Sequence, residues 1–262
     1  MDPRQHEADW NILEVSNISV RYGNKLAVDS VTLEISGGEI FGLLGPNGAG
    51  KTSLLSAIEG LVRPSSGKVM VDGLDANERP DLVKSKMGVQ LQATSFHSQL
   101  SIRHLMKLYS GLYGVKISSH EIGVKLDEIG LSDALAKPFK ELSGGQQQRL
   151  SLLIATIHSP ALLLLDEPTT GLDPQSRRQL WGRIERLRKN GGSILLTTHS
   201  MEEAQTVCDR VAIIDQGRII TCETPKNLIE KHRNDPTVKE VARGEVTLED
   251  VFIGLTGGEI RD

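Results

Sequence analysis

A chain of 262 residues, 38% hydrophobic and 24% charged, can bury a substantial core and is too apolar to stay disordered. Its formal net charge of −4 carries no basic excess, so no nucleic acid partner is expected. Two cysteines, Cys208 and Cys222, make no disulfide framework and suit a reducing compartment.

Residues 1–9 are polar and lack the apolar stretch of a signal peptide. No apolar run approaches the roughly 18–20 residues of a membrane span, so any membrane role is expected to run through a partner. Residues 12–22 alternate apolar Ile12, Val15, Ile18 and Val20 with polar neighbours, as a half-exposed strand does. Residues 31–35 alternate likewise, and Gly37-Gly38 forms a turn. Residues 39–44 read as a buried strand feeding a loop. Residues 51–61 have helical spacing through Leu54, Leu55, Ile58 and Leu61. Residues 68–71 read as a strand, as do 87–91.

The pattern then turns helical from Ser101 to about Leu135, which suggests an inserted helical unit. Residues 145–158 read as a helix, 161–165 as a fully buried strand, and 174–190 as a helix stopped by Gly191-Gly192. A strand at 193–197, a helix at 201–208 and strands at 211–214 and 218–222 follow. The tail from Thr224 is mostly helical, broken near Pro236. Strand–helix alternation of this kind specifies an α/β domain with a largely parallel sheet.

Gly45-Pro46-Asn47-Gly48-Ala49-Gly50-Lys51-Thr52 fits the phosphate-loop pattern G-x-x-x-x-G-K-[ST]. The glycines let the backbone aim N–H groups at phosphate oxygens, and the following helix adds partial positive charge at its start. Lys51 is expected to reach the β- and γ-phosphates and Thr52 to ligate Mg²⁺, with Ser53 adding a phosphate contact. The bland alternative, a glycine-rich turn, is disfavoured by the strand before and the helix after. Leu162-Leu163-Leu164-Leu165-Asp166-Glu167 then places two carboxylates at a buried strand's end, where parallel sheets bind ligands. Asp166 is placed to hold Mg²⁺ and Glu167 to polarise an attacking water as general base.

Leu142-Ser143-Gly144-Gly145-Gln146 is a second helix start, with a serine hydroxyl and glycine amides that suit an anion. Taken alone it is an ordinary N-cap. In this order of motifs the chain resembles the nucleotide-binding subunits of ATP-binding-cassette (ABC) transporters over about residues 12–220. The resemblance implies a phosphate-loop NTPase fold of ABC type: a mostly parallel core sheet, an antiparallel β subdomain and a helical subdomain insertion. The expected boundaries are 12–230 for the ATPase domain, about 93–142 for the insertion and 231–262 for a helical tail packing on it.

By the same resemblance, Ser143, Gly144, Gly145 and Gln146 form the signature loop, which contacts the γ-phosphate of ATP held by an opposite subunit. Tyr22 matches the aromatic residue that stacks on adenine, though a strand-end tyrosine needs no such role. Gln92 matches the glutamine that links Mg²⁺ or water to the membrane partner, with Gln90 a rival two residues earlier. Asp173 matches the loop that communicates between two sites, and also suits an N-cap before Pro174. His199 matches the switch histidine at the γ-phosphate. The implied machine is a head-to-tail dimer with a second ATPase subunit, peripheral on the inner face of the cell membrane through transmembrane permease subunits. The tail segment Glu245 to Gly257, with Gly88 to Gln92 running into Leu100-Ser101-Ile102, resembles prokaryotic export ATPases of the drug-efflux type. An importer ATPase and a soluble assembly scaffold are the alternatives. His97, His104 and His120 lack metal-ligand spacing, and Lys137 to Lys140 reads as a solvated basic face.

Overall fold

The computed structural model describes residues 10–90 and 96–257. Strands β1 (Asn11–Tyr22), β2 (Lys25–Ser36), β4 (Ser66–Val71) and β5 (Leu74–Asp75) form a four-stranded antiparallel sheet in the order β2-β1-β4-β5. Strands β3 (Ile40–Leu44), β6 (Met87–Val89), β7 (Leu162–Asp166), β8 (Ser193–Thr198), β9 (Arg210–Asp215) and β10 (Arg218–Glu223) build a six-stranded sheet. Its order is β10-β9-β3-β8-β7-β6, parallel except for the antiparallel edge strand β10. The helices are α1 (Lys51–Ile58), α2 (Pro80–Lys86), α3 (Ile102–Leu112), α4 (Ser119–Asp127), α5 (Gly144–Ala155), α6 (Pro174–Lys189), α7 (Met201–Val207), α8 (Pro225–His232), α9 (Pro236–Val241) and α10 (Leu248–Thr256).

The apolar run in β7 is explained by its two covered faces. Alternate side chains point oppositely, so Leu162 and Leu164 join α1 and the antiparallel sheet in one core, with Phe41, Leu43 and Leu195. Leu163 and Leu165 join Ile194, Leu196, Leu180 and Ile184 in a second core. The inserted helices have a third core of their own, built on Ile102, Leu105, Met106, Ile122 and Leu126. Helix α5 is the spine between bodies: Leu152 and Ala155 enter the second core, and Leu150, Leu153 and Ile154 the third. The tail is tied down by Leu228, Val238, Leu248 and Val251, all fully buried in the second core. At roughly 1.5–3 kcal/mol for each such side chain, that docking outweighs simple fraying.

Several boundaries differ from the sequence reading. Strand β2 starts at Lys25 rather than Val31, because a tight turn at Gly23 (φ +57°) pairs Lys25 with Tyr22. Helix α1 stops at Ile58, so Leu61 lies outside it and is 71% exposed. The helix closes in a Schellman motif: Gly60 (φ +70°) donates to the Ala57 carbonyl and Leu61 to that of Ser56. Strand β6 ends at Val89 rather than Leu91, although the Gln90 N–H still donates to the Leu164 carbonyl. Helix α2 and strand β5 have no counterpart in the sequence reading.

A phosphate cradle as the candidate functional site

The phosphate loop leaves the C-terminal end of β3, and β8 separates that strand from β7. Gly45, Asp166, Glu167 and His199 therefore gather at one edge of the sheet, as the strand pattern predicts. Tyr22, Lys25, Ala27, Glu167 and loop residues Asn47, Gly48, Ala49, Gly50, Lys51, Thr52 and Ser53 line a cavity of about 240 Å³. Tyr22, at the end of β1, is 48% exposed and borders it, as a face for a planar ring requires.

The glycines are held by their surroundings. A Cβ on Gly45 would lie 2.4 Å from the Ile214 carbonyl oxygen, and one on Gly50 2.5 Å from that of Ala27. Gly50 also sits at φ +108°, where an L side chain is strained. Gly50→Ala is expected to cost roughly 2–4 kcal/mol by combining strain with overpacking. Thermal unfolding checks this, with Tm falling by roughly 5–10 °C.

Gly50 is the N-cap of α1 and gives no side-chain cap, whereas Ser101, Ser143 and Asp173 cap α3, α5 and α6. The first amides of α1 therefore lack helical acceptors and face the loop's cavity side. The Lys51 Nζ donates to the carbonyls of Gly45 (2.7 Å) and Pro46 (3.1 Å). Burial lowers the Lys51 pKa from the usual lysine value, and the charges of Glu167 and Asp166 oppose that shift. Uncapped amides, a buried ammonium and obligatory glycines fit a polyphosphate.

Thr197, at the end of β8, organises the acidic pair. Its hydroxyl donates to Asp166 Oδ1 and accepts from the Glu167 N–H at 3.0 Å. Glu167 stands at φ +47°, a left-handed backbone that a glutamate adopts only when its surroundings enforce it. Its Oε2 accepts from Thr170 Oγ1 at 3.1 Å and lies 3.4 Å from His199 Nδ1. The His199 side chain is 62% exposed, open to a ligand from solvent. Thr52 and Asp166 offer hard oxygens suited to Mg²⁺. Among the described residues no three His, Cys, Asp or Glu side chains could cage a metal, and a cation held largely by phosphate oxygens and water needs no such cage.

Glu59, which caps the C-terminal end of α1, has its pKa raised to about 7, first by burial and then by the charge of Asp166. A carboxyl with a raised folded pKa costs nothing while protonated in both states. The cost grows as pH rises from 4.5 and is complete above about 7. Glu59→Gln should therefore raise the Tm of the nucleotide-free chain at pH 8 by about 2–4 °C and leave it nearly unchanged at pH 4.5.

The signature residues fold as a capping box. Ser143 Oγ accepts from the Gln146 N–H, and Gln146 Oε1 accepts from the Ser143 N–H. This engages Gln146 locally and leaves the amides of Gly144 and Gly145 at the helix start. A Cβ on Gly145 would meet Ser176 Oγ at 2.8 Å. Ser176 in turn donates to Asp173 Oδ2 at 2.6 Å, while Asp173 Oδ1 accepts from the N–H groups of Gln175 and Ser176. Asp173 is thus an N-cap, and hydrogen bonding to it lowers its pKa. Gln92 lies outside the described residues. Its rival Gln90 is buried, with both side-chain amide atoms lacking a hydrogen-bond partner among the described residues. Burial pushes the thiols of Cys208 and Cys222 up, away from reactivity.

Sequence reasoning missed Thr197, Lys25 and Gln148, whose Nε2 donates from α5 to the Pro168 carbonyl beside Glu167. Only Thr197 left a signal, a hydroxyl directly after the apolar run 194–196.

A mixed sheet carrying a phosphate loop, a second helix start and an acidic strand end in this order defines a nucleotide-binding cassette. The ABC transporter model matches residues 28–170, and the chain belongs to that family. It is 40% identical over 221 residues to the Nod factor export ATP-binding protein I of Sinorhizobium fredii, covering 84% of this chain and 64% of that protein. It is 34% identical over 246 residues to the probable multidrug ABC transporter ATP-binding protein YbhF of Escherichia coli, covering 93% of this chain and 41% of that protein. The chain thus spans less than two thirds of either relative. The solved ATP-binding subunit of an ABC transporter superposes with a TM-score of 0.82 at 25% identity, over 93% of this chain and 99% of that one. CbiO1 of Clostridium perfringens, part of the ABC transporter complex CbiONQ, gives 0.73 at 26% identity, over 89% and 95%.

Proposed function

We propose that this chain binds and hydrolyses ATP as the motor subunit of an export machine. One observation carries the reading furthest. None of the signature residues 143–146 lines the cradle that holds Lys51 and Glu167. Each chain therefore offers two half-sites, and a second copy or a paralogue placed head-to-tail completes both.

In this reading the amides at the start of α1 and the Lys51 ammonium hold the β- and γ-phosphates. Thr52 and Asp166 are the residues that would hold Mg²⁺, which when bound neutralises charge on the phosphates and the leaving group. Glu167 orients water and takes its proton, and His199, beside it, meets the γ-phosphate. Ser143, Gly144 and Gly145 of the opposite copy close the site from above, and Asp173 travels with them through Ser176.

Among the described residues no helix is long and apolar enough to cross a membrane. The motion is delivered to permease subunits, with the chain peripheral on the cytoplasmic face. A cavity of about 450 Å³ on the inserted helices, lined by Phe96, His97, Leu105 and Leu108, supports a docking place there. The names of the two export-type relatives support export of small or amphipathic compounds. Co-purification with integral membrane subunits, followed by transport in vesicles, tests this. ATP-driven uptake into right-side-out vesicles would contradict export, and a complex stable without any membrane subunit would contradict the permease partnership.

A further inference from the structure

Glu203 is a buried carboxylate, 7% exposed, that none of the steps above uses. It lies in the first turn of α7, the helix that begins just after His199. Its Oε2 accepts a 2.6 Å hydrogen bond from Thr169 Oγ1, and Thr169 is itself buried two residues after Glu167. Its Oε1 lies 3.0 Å from Arg177 Nε in α6, off the N–H direction, so this contact is an ion pair rather than a hydrogen bond. A single carboxylate thus joins the turn after Glu167, the helix capped by Asp173 and the helix that follows His199. From the other side Gln148 holds the Pro168 carbonyl, so the turn is clasped at consecutive residues by α5 and α7.

Stability alone is a weak account of this arrangement. Burying a charge is costly, and a buried pair often gains no net stability over apolar packing. The clasp sits instead beside Glu167, whose left-handed backbone at φ +47° persists only if its neighbours over-determine it.

We propose that Glu203 is a positioning residue for ATP hydrolysis. It holds the Pro168-Thr169 turn against α7, and thereby keeps the Glu167 carboxylate and the His199 ring in the fixed relation seen here, 3.4 Å apart. The proposal rests on the hydrolytic reading of Glu167.

Steady-state ATPase of the full chain, in variants Glu203→Ala, Glu203→Gln, Thr169→Val and the Glu203→Ala/Thr169→Val double, tests it. Glu203→Ala and Thr169→Val should each lower kcat about tenfold with the KM for ATP within about twofold, and the double variant should fall no further, because each alone already breaks the Thr169–Glu203 hydrogen bond that holds the turn. Glu203→Gln keeps an oxygen for the Thr169 hydroxyl and should retain at least about a third of kcat. Thr169→Val is close to isosteric, so it guards against a Glu203→Ala chain that fails to fold. Wild-type kcat in Thr169→Val, or losses that multiply in the double variant, would overturn the role of Glu203. A wild-type chain with no Mg²⁺-dependent ATPase would overturn the hydrolytic reading itself, and the proposal with it.

Discussion

Glu167→Gln is expected to stop turnover and leave ATP bound. Among the described residues, the substitution removes the only carboxylate bordering the cradle, while keeping an oxygen that can accept from Thr170 Oγ1. The backbone contacts of residue 167 to Thr197 do not depend on the side chain, so the strained turn should survive. Loss of a general base removes roughly 10²- to 10⁴-fold of rate. Phosphate release should fall by at least about a hundredfold, with ATP affinity held within a few-fold. Single-turnover assays with equilibrium binding measure the two separately. A variant that loses binding in proportion to rate would place Glu167 among the groups that hold ATP rather than those that cleave it.

Lys51→Ala acts on the other quantity. The ammonium is buried with two backbone carbonyls as partners, and the loop around it presents amides rather than further side-chain cations. A charge-assisted contact of this kind contributes about 1.5–3 kcal/mol, so ATP affinity should fall roughly 10- to 100-fold. Titration by calorimetry reads the change directly. Because the substitution also strands the Gly45 and Pro46 carbonyls, a modest loss of Tm is expected beside it. Unchanged affinity in a folded Lys51→Ala chain would remove Lys51 from phosphate binding.

The candidate site is legible in the sequence because each of its parts is local. The phosphate loop, the leucine run ending in Asp166 and the serine-glycine start of α5 are continuous segments whose chemistry follows from spacing. The contacts that brace them are not local. Thr197 reaches Asp166 across 31 positions, Glu203 reaches Thr169 across 34, and Gln148 reaches Pro168 across 20. No periodicity encodes such pairs; they exist only once β7, β8, α5 and α7 are assembled. Helix α2 escaped because it is a short element of seven residues with Val83 alone buried, too little for a helical stripe. Leu61 misled for the opposite reason: its spacing suits the helix, but Gly60 turns the chain before it. The rivalry of Gln90 and Gln92 arose because alternation in a three-residue strand cannot say where the strand stops.

The signature residues bear most directly on assembly. Their capping box shows that Ser143 and Gln146 first serve their own helix, which leaves the Gly144 and Gly145 amides at the end that a second molecule would bring to a phosphate. The mass of the Glu167→Gln chain, measured by light scattering with and without ATP and Mg²⁺, tests this most directly. A monomer is expected without nucleotide and a stable dimer with it, lost again in Ser143→Arg, where a long cation obstructs the opposed site. A Glu167→Gln chain that binds ATP and stays monomeric at high protein concentration would contradict it.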